Sequence, residues 1–103
     1  MRRNSNINPG ILRDQMGNGD AVRVARAAMS LANALQDQHD LLPGEALSAM
    51  AAGFVLVMEA CGLPTSDVLT TTKNIMADAY GRRAEFMAVG DYLEKEVLSN
   101  ERC

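Results

Sequence analysis

Residues 42–64 read LPGEALSAMAAGFVLVMEACGLP, an apolar run with a helix start at one end and a helix stop at the other. Pro43 suits the first helical turn, where a missing N–H costs nothing, and Gly62 followed by Pro64 suits a left-handed cap and a hard stop. The spacing predicts one helix of about five turns. Leu47, Met50, Phe54, Val57, Met58 and Cys61 recur at steps of three and four, while Ala46, Ala49, Gly53 and Ala60 make a second face of small residues. Only a thin line through Glu45, Ser48 and Glu59 suits water. A helix that is apolar around most of its circumference needs neighbours on several sides, and a chain of 103 residues has few helices to supply them. The pattern predicts an all-α fold of three to four helices, with this near fully apolar helix at its centre and shared between two chains of a helical homodimer. A monomeric bundle around the same helix is the alternative.

Composition points the same way. The chain has two Phe, two Tyr and no Trp against fifteen Ala, so each buried position removes little area from water while the ordering cost per residue stays the same. Association would offset that shortage. A net charge of −3 argues against a globally basic nucleic-acid binder and leaves room for a local patch. Residues 1–30 carry five Arg against two Asp, whereas residues 31–72 carry five acids and no Lys or Arg. No apolar run follows Arg2 and Arg3, so no secretory signal is expected. The central run falls short of the roughly 20 apolar residues a bilayer requires, so no membrane is expected as a partner. Cys61 within the apolar helix and Cys103 at the last position do not make a disulfide framework, and a cytoplasmic location is the expectation.

Residues 1–19 contain four Asn, three Gly and one Pro, a composition expected of a flexible basic arm with at most a short helical turn at Ile11 to Met16. Residues 20–103 then form a single helical domain. Asp20 offers an N-cap to a helix running to about Gln38, with Val24, Ala25, Ala28, Leu31, Ala32 and Leu35 inward and Arg26, Ser30, Asn33 and Asp37 outward. Thr65-Ser66-Asp67 supplies a cap for the next helix. No capping residue stands just after Gly81, and the three-four alternation runs on through Met76, Tyr80, Arg83, Phe86, Gly90, Leu93 and Val97. The pattern therefore predicts one long C-terminal helix from Ser66 to about Leu98, roughly 50 Å in length. A break at Gly81 or Asp91 would instead give four helices.

Asp37-Gln38-His39-Asp40 is the one cluster of His with acids, and it reads as a polar helix end; no metal and no cofactor are expected. Cys61 lacks the electropositive setting of a thiolate nucleophile, and Glu59, Asp67, Asp78 and Glu85 are spaced as solvated helix faces. Gly17-Asn18-Gly19-Asp20 fits neither of the glycine-rich phosphate-loop patterns. The expectation is a protein without enzymatic activity.

Two arrangements have a functional shape. Tyr80, Arg82, Arg83 and Phe86 make an aromatic and arginine cluster of the kind enriched where proteins bind proteins. The run from Val57 to Leu69, with its glycine corner, resembles a helix-turn-helix. In that reading Thr65, Ser66, Thr70, Lys73 and Asn74 face DNA, and Arg2 and Arg3 on the arm add phosphate contacts. Against it, Asp67 would repel phosphate and Met58 stands where the motif favours a small residue. The preferred expectation is a small helical adaptor, inhibitor or regulator that binds an unidentified protein as a homodimer; a DNA-binding regulator is the runner-up.

Overall fold

The computed structural model describes residues 7–38 and 40–99. They form α1 (Pro9–Gly17), α2 (Ala21–Gln36), α3 (Pro43–Cys61), α4 (Thr65–Ile75), a hairpin of β1 (Ala77–Asp78) and β2 (Gly81–Arg82), and α5 (Ala84–Tyr92), which runs on into a π-helical turn at Leu93–Val97. The class is all-α, with more helices than the three or four expected.

Local chemistry sets the boundaries. Asn8 accepts from the Ile11 N–H at 3.2 Å, and Pro9 takes the first position of α1, so the N-terminal segment is helical over more than the one turn expected. This helix packs along α4. Arg2 and Arg3 lie outside the described residues. Asp20 caps α2 by accepting from Val22 and Arg23, and α2 ends two residues before Gln38. Pro43 opens α3, the Glu45 carboxylate accepts from the Leu42 N–H at 2.9 Å, and Gly62 closes the helix in the left-handed region at φ 75°. Only the cap expected at Thr65-Ser66-Asp67 fails: Pro64 precedes the first helical residue, and no side chain caps α4.

The long C-terminal helix is replaced by two helices and a hairpin. Ala77 pairs with Arg82 and Asp78 with Gly81, leaving Ala79 and Tyr80 as a two-residue loop. Asp78 accepts from the Tyr80 N–H at 2.8 Å, which competes with a helical backbone at that point. Gly81 then adopts φ 117°, a conformation that side chains disfavour. Gly90, by contrast, lies within α5 without breaking it.

Two small cores result. Cys61, Leu63 and Val68 pack with Leu12, Met16 and Met58 where α1, the end of α3 and α4 meet. On the other side α2 lies against α5 and the π-helical turn, the elements that carry buried Ala25, Ala32, Phe86, Val89 and Val97. Val24 and Leu31, expected on the inner face of α2, are exposed, because the helix turns its alanine stripe inward. Against these elements α3 packs only sparsely. Ala46 and Cys61 are buried near its two ends, but from Leu47 to Val57 only Met50 is even half-buried. The expected central helix is therefore present and is not enclosed by its own chain.

The two glycines distinguish hairpin from helix. Gly81→Ala is expected to cost about 1–3 kcal/mol through its positive φ. Gly90→Ala, with no atom within 4 Å of the added Cβ, should stabilise by about 0.5–1 kcal/mol. Thermal denaturation of the two variants checks the signs.

Candidate interaction surfaces

The aromatic and arginine cluster is divided by the hairpin. Tyr80, at the loop, is 98% exposed, and Arg82 beside it is exposed as well. Arg83 is half-buried and braces the hairpin: its backbone N–H donates to the Met76 carbonyl at 2.9 Å and its Nε to the Ile75 carbonyl at 3.0 Å. Phe86 is 6% exposed and belongs to the core. Of the four residues, two face solvent, one fixes the loop to the end of α4, and one anchors α5.

The outer face of α4 carries Ser66, Thr70 and Lys73, opposite Val68 and Ile75, with Thr65 and Asn74 also exposed. Asp67 is turned toward α1, where its Oδ2 lies 3.2 Å from Nη2 of Arg13. Both side chains are more than half exposed, so the pair contributes at most about 1 kcal/mol. It nevertheless answers the acid that would otherwise face a phosphate. A shallow groove of about 250 Å³ runs past this pair, lined also by Met16, Leu63 and Thr70. The Gly62 corner resembles a helix-turn-helix in sequence, while α4 rests on α1 and on the hairpin.

The third surface is α3 itself. Leu47, Val55, Leu56 and Val57 are each more than half exposed. At the C-terminal end the apolar surface continues onto Ile7 and Ile11, which with Val57 and Ala60 line an open groove of about 420 Å³. By length and composition α3 is sufficient to cross a membrane, contrary to the count made on the sequence. The sequence signal for this surface was the all-round apolar pattern. What it did not give was that α3 would pack so sparsely on the other helices and leave its middle bare.

Reactive groups do not converge on these surfaces. Cys61 is buried, with its Sγ 3.8 Å from the Met58 carbonyl as donor, and among the described residues no three His, Cys, Asp or Glu side chains are placed to hold a metal ion. His39 lies outside the described residues. Comparison with known proteins finds no matching family model, no similar curated protein and no similar solved structure.

Truncations separate anchor from core. Phe86→Ala is expected to destabilise by about 3–5 kcal/mol, as large core deletions do, whereas Tyr80→Ala should stay within about 0.5 kcal/mol of the parent. Chemical denaturation with equal m-values in both variants provides the comparison.

Proposed function

We propose that this chain is a non-enzymatic helical protein that works by binding another protein, as an adaptor, inhibitor or regulator, and that it is built as a homodimer. The observation that carries the reading is the bare apolar middle of α3, since an exposed contiguous apolar surface on a small helical chain marks a place where something else sits. Supporting it, the hairpin displays Tyr80 and Arg82 on a braced loop, two residue types that concentrate binding energy at protein interfaces. The apolar helix serves assembly and the hairpin serves the partner.

Affinity capture from a lysate of the native organism, followed by mass spectrometry, tests the binding role. The parent is expected to retain one protein in stoichiometric amount, and Tyr80→Ala/Arg82→Ala to lose it while keeping its melting temperature. Retention by the double variant would move the partner site off the hairpin.

A second reading, a DNA-binding regulator, is favoured by one observation: Ser66, Thr70 and Lys73 share the outward face of α4, and Asp67 is paired with Arg13. With a net charge of −3 and one base on that face, selection from a random duplex pool at moderate salt is expected to enrich no site. Recovery of a single palindromic sequence would place this reading first.

A further inference from the structure

We infer that α1 is a detachable cover: it lifts from the body of the chain while the core of α2 and α5 stays folded, and in lifting it bares an apolar cleft of Met58, Cys61, Leu63 and Val68. The inference is independent of the homodimer and of the hairpin. It gives the corner where α3 meets α4 a closed and an open state.

Burial carries the first part of the argument. Each of α2, α3, α4 and α5 holds at least one buried residue, and α1 holds none. Leu12 and Met16, one turn apart on a single face, are its two half-buried side chains, and the rest of α1 is exposed. These two are nevertheless what α1 packs against Cys61, Leu63 and Val68. The helix thus roofs a core to which it commits little area, so the free energy that holds it is small beside that of the whole fold.

The seating of α1 is also open on several sides. One groove of about 420 Å³ separates Ile11 from Val57 on α3, a second of about 300 Å³ lies between Gln15 and Ile75, and a third of about 250 Å³ lies between Arg13 and Thr70. Groups that line such a gap lose the dispersion contacts that close packing would supply. The Arg13–Asp67 pair does not make up the loss, because its side chains are 57% and 56% exposed and water competes for both. Once lifted, α1 does not persist as a helix: it has nine residues, two of them glycine, well short of the length at which an isolated helix holds. Detachment therefore releases backbone entropy as well, which favours the open state. The thiol of Cys61, which lines the groove beside Ile11, then meets solvent.

Alkylation of Cys61 by N-ethylmaleimide across a urea series, read by peptide mass spectrometry so that Cys103 does not contribute, gives the test. Below the unfolding transition the rate is expected to be slower than that of a free thiol and nearly independent of urea, as for a local opening that exposes little surface. Leu12→Ala should raise it about tenfold, whereas Val89→Ala, which weakens the other core and the fold as a whole, should leave it unchanged. If Leu12→Ala does not fold, Arg13→Ala carries the same expectation at about two- to fivefold. Amide hydrogen exchange should show α1 opening as one unit, with the same equilibrium constant as the thiol and ahead of α2 and α5. A Cys61 rate that climbs with urea as steeply as global unfolding, or that Val89→Ala raises as much as Leu12→Ala, overturns the cover, because the thiol then opens only with the whole chain. A free-thiol rate overturns it too, since α1 then covers nothing, as does a rate that no substitution in α1 moves.

Discussion

Everything in this molecule depends on how α3 is held. It is anchored near its two ends, at Ala46 and at Cys61, and by little in between. Its neighbours in the chain, α2 and α4, pack on other elements and not along it. Nineteen residues of helix, about 28 Å long, could span one small core, yet α3 is left largely unenclosed. Two cores form instead, one from α1 and α4 with the end of α3, the other from α2 with α5 and its π-helical turn. The result is a slab of 44 × 42 × 20 Å with a radius of gyration of 15.2 Å, where a compact chain of this length would have about 13 Å.

Neither core is large. The buried positions are occupied mainly by Ala, Val, Leu and Cys, with Phe86 the one buried aromatic among the described residues. Alanine at 25 and 32 lets α5 approach α2 closely, and the gain in contact comes with little area removed from water. Meanwhile the large side chains of α3 are spent outside. Covering the bare half of each of Leu47, Val55, Leu56 and Val57 would contribute about 1 kcal/mol apiece. That total is comparable to the whole margin of a weakly stable domain. The most apolar helix of the chain contributes little to the chain's own cores.

The ends of the helices were legible in the sequence because caps are local. Asp20, Pro43 and Gly62 each act within one turn, and each stands where its chemistry predicted. The hairpin was legible too and was outweighed. Asp78-Ala79-Tyr80-Gly81 has an acid at the first position of a turn and glycine at the fourth, the preference of a type I turn, and Asp78 does bond to the Tyr80 N–H. The three-four alternation running past it from Met76 to Val97 favours continuity and puts Arg83 on an apolar seam that the fold does not contain. Its Nε bonds to the Ile75 carbonyl instead, one of the groups left open at the C-terminal end of α4. What periodicity cannot supply is which of two apolar faces turns inward. On α2 the alanine stripe won over Val24 and Leu31, and that choice is tertiary.

The same bond bears on how the candidate hairpin would work. An aromatic side chain on a loose loop contributes little to affinity, because ordering the loop on binding offsets the contact. Here Asp78 fixes the turn from within, and Arg83 ties its return strand to α4 through the Ile75 and Met76 carbonyls. Tyr80 is thus held out on a backbone that is already ordered, so its burial by a partner would not carry the added cost of ordering the loop. The two residues of the cluster that are not displayed thereby serve the two that are: Arg83 by bracing the loop, and Phe86 by seating α5, on which β2 ends, within the core. A cluster that looked from the sequence like one patch is, in the fold, a display and its support.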